Sequence, residues 1–201
     1  MSRIEQKEII LASASPRRKE LLAQIGISFT VQVSSVEEVI TKTAPEEIVM
    51  ELSAQKAKDV KKNTEEDCIV IGADTIVAYS DGTQTLVLGK PKSEEEAFRM
   101  LKLLQGNTHQ VYTGVSLCFK EQTHTFYEKT QVQVYPMNEE QIWEYIKTGE
   151  PMDKAGAYGI QGRFAAFIKG IEGDYNNVVG LPVGRVYQEL CKLTDGSDQN
   201  I

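Results

Sequence analysis

Histidine and cysteine are scarce in this sequence, two and three in 201 residues, and neither is arranged to hold a metal. Cys68, Cys118 and Cys191 lie far apart and form no CxxC pair, which excludes a zinc ribbon and a disulfide framework. Buried thiols in a reducing cytoplasm are the expectation for all three. His109 and His124 fall on a predicted hairpin without metal-ligand spacing and read as structural. Positive charge is also in short supply: 22 Lys and Arg stand against 29 Asp and Glu, a formal net charge of -7. That excludes the broad basic face needed for a nucleic acid polymer or an acidic lipid surface. Long hydrophobic runs are missing as well. The apolar stretch Ile9 to Ala12 is far too short for a signal peptide or a membrane span, so a cytoplasmic protein is expected.

With 41% hydrophobic residues, the chain can bury one substantial core, and a single domain over 1–201 is expected. The elements alternate as in a mixed α/β protein. A short strand (Glu8 to Ala12) runs into a helix (Pro16 to Ile25) stopped by Gly26, and a second strand is expected at Phe29 to Ser34. Pro45 opens a helix reaching Lys61. Cys68 to Ala78 reads as a buried strand with Asp74 near its end. Ser93 and Glu96 have capping-box spacing before a helix that ends at Gly106. His109 to Phe119 and Thr125 to Val134 read as antiparallel strands, and Asn138 caps a helix ending near Gly149. A last helix is expected from Pro182 to Leu193, followed by a polar, frayed tail from Thr194.

The first helix places Arg17, Arg18 and Lys19 in its first turn, behind Ser15 as N-cap and Pro16 as first helical residue. Cations there oppose the helix dipole, at about 0.3 to 1 kcal/mol each when exposed. The helix after Ser93 instead opens conventionally on Glu94, Glu95 and Glu96. A small anion, such as a phosphate chain held by backbone N–H groups, the Ser13 and Ser15 hydroxyls and the arginine forks, would resolve the contrast. A solvated turn paired with acids is the alternative.

Lys56 interrupts an apolar stripe of Ile48, Leu52 and Val60, one residue every four. It either snorkels from the core edge or points into a polar cleft toward an anion. Asp74 closes the run Ile69-Val70-Ile71-Gly72-Ala73-Asp74-Thr75, and ligands gather at the carboxyl ends of strands in open α/β sheets. The small residues before Asp74 are expected to leave room for substrate, and its carboxylate could bind Mg²⁺ or take a proton from water; capping a turn is the bland reading. Glu37 and Glu38 are candidates to share a metal, and Lys90 in a rigid turn to meet phosphate. The segment Asp153 to Gly162, rich in glycine and alanine, lets backbone approach a ligand, and its Gln161 offers a donor and an acceptor to a base edge. A tight structural loop is the competing reading.

In order, SASPRRKELL, the helical QKAK, IGADTIV, GKPKSEEEA, THQVYTGV and DKAGAYGIQG resemble the Maf family of nucleotide pyrophosphatases, also called septum-formation proteins. The resemblance runs from about Ile9 to Pro182. It implies an α/β fold, with an extended mixed β-sheet flanked by helices and two lobes around a central cleft, related to inosine triphosphate pyrophosphatases. It also implies hydrolysis of a nucleoside triphosphate to the monophosphate and pyrophosphate, with Mg²⁺ or Mn²⁺, in a homodimer. Asp74 corresponds to the catalytic proton acceptor and, with Glu38, to the metal-associated acids. Arg17, Thr75 and Gln161 match positions tied to base preference, and Ser13, Arg18, Lys56, Lys90 and Lys154 the phosphate-contacting set. The GADT and GIQG pair resembles the dTTP/UTP branch. An amide suits the carbonyl and imide of uracil or thymine, whereas a carboxylate suits guanine. House-cleaning of modified pyrimidine nucleotides and nucleotide-sensing regulation of cell division are the alternatives implied by the same resemblance.

Overall fold

The computed structural model describes residues 3–196; the last five positions of the expected polar tail lie outside them. The element order is β1 (Ile9–Leu11), α1 (Pro16–Gln24), β2 (Thr30–Val31), α2 (Pro45–Lys61), β3 (Ile69–Ser80), β4 (Thr85–Leu88), α3 (Glu94–Leu104), β5 (Thr108–Phe119), β6 (Gln122–Val134), α4 (Glu139–Ile146), β7 (Ile168–Glu172), α5 (Tyr175–Val179) and α6 (Val183–Gly196). The seven strands form a mixed sheet in the order β2-β1-β3-β5-β6-β7, with β4 paired to β3. No helix among the described residues is long and apolar enough to cross a membrane.

The chain divides into two compact units, the first comprising Met1–Asp74, Thr113–Glu128 and Gly180–Ile201, the second Thr75–Tyr112 and Lys129–Val179. In the first unit β1 pairs in parallel with both β2 and β3, Leu11 lying opposite Ile71. Helix α2 covers this sheet, and Ile10, Ala12, Ala57, Val60, Cys68, Val70 and Cys118 form one core cluster. Two glycines let the helix come down onto the strands. A Cβ on Gly114 would strike the Val49 carbonyl group and sit 2.7 Å from the Met50 nitrogen, and one on Gly72 would lie 2.7 Å from the Ala57 nitrogen and 2.8 Å from its Cβ. Neither glycine needs an unusual φ; what each position excludes is bulk.

In the second unit β4 pairs antiparallel with the end of β3, and β7 with the end of β6. Ser93 Oγ accepts from the Glu96 nitrogen at 3.2 Å, while the Glu96 carboxylate turns to the Lys92 nitrogen, so only half of a capping box forms. Asn138 and Gln141 complete the full box at α4. Helices α3 and α4 meet through Phe98 stacked on Trp143, ring centroids 4.8 Å apart.

Several boundaries differ from the sequence reading. β2 covers only Thr30–Val31, because the residues after it turn away to follow α2. β4 was not anticipated; its burial is mostly exposed, so it lacks the alternating pattern that marks a strand. β3 extends to Ser80, which puts Asp74 mid-strand rather than at its end. Helix α6 runs through Thr194, whose buried hydroxyl donates to the Leu190 carbonyl at 3.0 Å. Cys191 is half-buried rather than buried.

The close approach at Gly114 has a measurable consequence. Gly114→Val must displace α2 backbone rather than a flexible side chain, so urea denaturation should show a loss of at least about 2 kcal/mol; an unchanged midpoint would show that the helix does not rest on this glycine.

Candidate functional site

The first unit builds its polar cluster where β1 ends. The pairing of β1 with β3 stops at Leu11 and Ile71, closed by the Ala12 nitrogen donating to the Ile71 carbonyl at 2.8 Å. β3 continues past the end of β1, carrying Ala73 and Asp74 beyond the carboxyl end of the parallel pair. Asp74 thus occupies the kind of position where α/β proteins collect ligands, although its own strand does not end there.

Lys56 is directed at Asp74. Its ammonium donates to Asp74 Oδ1 at 2.5 Å and lies 3.0 Å from Glu38 Oε1, with the Lys56 and Asp74 side chains 16% and 14% exposed. The snorkelling alternative is therefore set aside. The small residues before Asp74 serve this contact: the room at Gly72 is filled by Ser53 and Ala57 of α2, which flank Lys56 along the helix. At Gly72, then, the room is taken by the helix.

Glu38 reaches the cluster because its segment is strapped along α2. Asp59 Oδ2 accepts from the Ser34 hydroxyl at 2.8 Å and the Ser35 nitrogen at 3.1 Å. Gln55 both accepts from the Val39 nitrogen and donates to its carbonyl, and Glu51 accepts from the Thr41 nitrogen and hydroxyl. The hydroxyl bonds from Thr41 and Ser34 hold the Glu51 and Asp59 carboxyls below their ordinary values. The sequence contained a sign of this strap in the acceptors Glu51, Gln55 and Asp59, spaced by four beside the apolar stripe. Glu37 is exposed in the same segment.

At the start of α1, Ser15 stands at the N-cap position but makes no side-chain cap bond. Its nitrogen donates to Ser13 Oγ at 3.3 Å. Ser13 also accepts from Arg18 Nη1 at 3.1 Å, and Arg18 donates further to the carbonyls of Ala73 and Gly180, each at 2.9 Å. Arg18 therefore ties the start of α1 to β3 and to the approach to α6. Burial pushes its guanidinium below its ordinary value, while the charge of Asp74 acts in the opposite sense. Arg17 is half-buried in the same turn and repels Arg18. Ser13, Arg18, Lys56, Glu38 and Asp74 thus all belong to the first unit: Arg18 bonds Ser13, Lys56 pairs with both Asp74 and Glu38, and the bond from Arg18 to the Ala73 carbonyl brings the two groups to consecutive positions on β3.

In the second unit, Thr75 is half-buried on β3 and Lys90 is exposed between Gly89 and buried Pro91. Lys154 donates to the Glu150 carbonyl at 2.7 Å and to Asp153 Oδ1 at 2.6 Å, its stem packed over Gly159. Gln161 is exposed in a tight turn closed by the Gly162 nitrogen on the Gly159 carbonyl at 3.2 Å. Beneath that turn His109 is fully buried, its Nε2 2.7 Å from the Tyr158 hydroxyl. The structural reading of His109 holds, but its connection to the glycine-rich segment was invisible in sequence, since 48 residues intervene between 109 and 158. His124 lies in the first unit, paired with Glu189 at 3.2 Å.

Comparison with known proteins matches residues 8–193 to the family described as Maf-like protein. The chain belongs to the Maf family. Among relatives of this Maf protein, one from Agathobacter rectalis is 57% identical over 92% of this chain and 97% of its own length. One from Lachnoclostridium phytofermentans is 55% identical over 92% and 95%, and one from Bacillus cytotoxicus 53% identical over 95% and 98%. All three carry the name dTTP/UTP pyrophosphatase. Among solved structures, a HAM1 protein from Coxiella burnetii shows a distant likeness, with a TM-score of 0.48 at 16% identity over 94% of this chain and 99% of that one.

Burial lowers the pKa of His109 to about 4. The folded protein therefore resists a proton that the unfolded chain accepts near pH 6.5. The stability this gives is complete above pH 6.5 and is lost as pH falls toward 4. Urea denaturation between pH 6.5 and 5 should show a loss of about 2 kcal/mol, largely absent in His109→Gln; equal slopes for both proteins would refute this source of the pH dependence.

Proposed function

We propose that this chain hydrolyses dTTP and UTP to the nucleoside monophosphate and pyrophosphate. The observation that carries the reading is the Lys56 ammonium set between the carboxylates of Asp74 and Glu38, in a chain more than half identical to relatives named for that activity. Two carboxylates around one cation are what a triphosphate with its counter-ion can exchange into: phosphate takes the ammonium, and the carboxylates are released for other work.

Asp74 then accepts the proton of a water that attacks the α-phosphorus. The bond between that phosphorus and the oxygen bridging to the β-phosphorus breaks, and pyrophosphate leaves with the electron pair. Lys56 neutralises the phosphate charge that grows during this displacement. Arg18 holds Ser13 and the Ala73 carbonyl in place, so the strand carrying Asp74 is fixed against the start of α1. Lys90 and Lys154 are further phosphate contacts in this reading, and Arg17, Thr75 and Gln161 set the choice of base.

The donor set suits a hard divalent cation, Mg²⁺ or Mn²⁺, because Asp74 and Glu38 supply only carboxylate oxygens and such ions are commonly bound by one or two carboxylates together with substrate phosphates. Among the described residues no group of three or more His, Cys, Asp or Glu could hold a metal by itself, which agrees with a metal arriving with its nucleotide. When bound, it would add charge neutralisation at the phosphate. The family resemblance implies a homodimer, and the widely spaced cysteines suit a reducing cytoplasm.

Purified protein with Mg²⁺ should release pyrophosphate from dTTP and UTP and much less from ATP or 7-methyl-GTP; equal release across the panel would overturn the substrate assignment. Asp74→Asn should lower turnover by about 100-fold or more while nucleotide binding persists. Lys56→Met, close in volume, should weaken nucleotide binding and turnover together, and a variant with unchanged kinetics would remove Lys56 from the phosphate-binding set.

A further inference from the structure

The turn bearing Gln161 is anchored from below by a buried group that the proposed chemistry does not use. Gly156 and Ala157 both adopt left-handed backbone, φ +68° and +61°. Gly156 is obligatory there, since a Cβ would sit 2.8 Å from Val77 Cγ2, but Ala157 is an ordinary residue held in an unfavourable conformation. Such a residue keeps its conformation only when its surroundings over-determine it. The surroundings are specific. The Gly156 nitrogen donates to the Gly89 carbonyl at 3.0 Å and the Ala157 nitrogen to the Lys154 carbonyl at 3.1 Å. Immediately afterwards, the Tyr158 side chain plunges into the core, 5% exposed.

Tyr158 is fixed there by one polar contact and two rings. Its hydroxyl meets His109 Nε2 at 2.7 Å, the two rings standing at 78° to each other. Its other face lies 4.8 Å from Phe164, which contacts Tyr145. The Tyr145 hydroxyl accepts from the Gly159 nitrogen at 3.1 Å, and the Glu150 carboxylate from the Arg163 nitrogen at 3.0 Å. The backbone on both sides of Gln161 is thus bonded to side chains, while Gln161 itself projects free of the core. His109 Nδ1 has no hydrogen-bond partner among the described residues although it is fully buried. An aliphatic residue would fill that space without an orphaned nitrogen, and the polar contact that sets the imidazole apart from one is that of Nε2 with Tyr158. Burial keeps the imidazole neutral and raises the Tyr158 hydroxyl well above its ordinary range, so a neutral hydrogen bond persists across the working pH.

We propose that His109, acting through the Tyr158 hydroxyl, is a positioning residue for base selection: it sets the height and direction of the Gln161 turn and so the preference for a pyrimidine triphosphate. The proposal rests on the pyrimidine triphosphate activity inferred above. The contact predicts effects on binding of the preferred base rather than on the hydrolytic step.

The test measures kcat and KM for dTTP, UTP, CTP and ATP. Tyr158→Phe removes only the hydroxyl and should raise KM for dTTP about 10-fold, leave kcat within about twofold, and narrow the preference over CTP and ATP by a similar factor. His109→Leu should do the same, whereas His109→Gln, whose amide reaches the position of Nε2, should restore the preference. Adding Tyr158→Phe to Gln161→Ala should cost no further selectivity. The proposal is overturned if all four nucleotides lose activity equally, if kcat falls instead of KM rising, if the Leu and Gln variants behave alike, or if the double substitution is additive. An unsubstituted protein without pyrimidine preference would sink the substrate reading itself; a normal preference that survives Tyr158→Phe would sink only this one.

Discussion

The contact on which the first unit depends is backbone against backbone: helix α2 lying on the sheet at Gly72 and Gly114. Helix-to-sheet distances are ordinarily set by side chains, which yield a little when substituted. Here the helix rests on the strands themselves, so its height above the sheet is fixed by covalent geometry and close packing. Lys56 inherits that precision. Its four-carbon stem would otherwise wander, yet its ammonium is held between Asp74 on the strand below and Glu38 on the strap alongside. A point charge on a flexible arm becomes a positioned one because the helix bearing it cannot rise.

The second unit solves a different problem. A glycine-rich turn is needed where backbone must come close to another molecule, but glycine also loosens the chain. The loop carrying Gln161 regains order from rings: Tyr145 accepts from the Gly159 nitrogen, His109 meets the Tyr158 hydroxyl, and Phe164 packs against both tyrosines. The two units thus use opposite devices, small residues to bring a helix down in one and large ones to hold a turn up in the other.

Much of this was legible in the sequence. Lys56 broke an otherwise regular apolar stripe, and Asp74 ended a run of buried β-formers; both anomalies proved to be partners of each other. The cations at the start of α1 were visible as a conflict with the helix dipole, but what Arg18 does with its hydrogen bonds was not, because its acceptors are carbonyl oxygens distant in the chain. The same limit hid the His109 contact to Tyr158. Ser15 shows a subtler failure: it occupies the N-cap position that its type suited but makes no side-chain cap bond, while Ser13, two residues earlier, accepts from the Ser15 nitrogen and from Arg18. Gly72 was misread because an unfilled volume in sequence has no owner until the packing assigns it. β4 escaped notice since its exposure pattern lacks the period that burial imposes.

The strap over residues 34–41 is bonded to the carboxylates and amide of Glu51, Gln55 and Asp59 rather than to a neighbouring strand. These bonds are solvent-exposed and independent of the hydrogen-bond ladders of α2 and β3. Detaching the strap breaks no helix or sheet bond, so its opening is a local event with a free energy well below that of global unfolding. Glu38 therefore reaches Lys56 from a segment held by side-chain bonds, whereas Asp74 reaches it from the sheet itself.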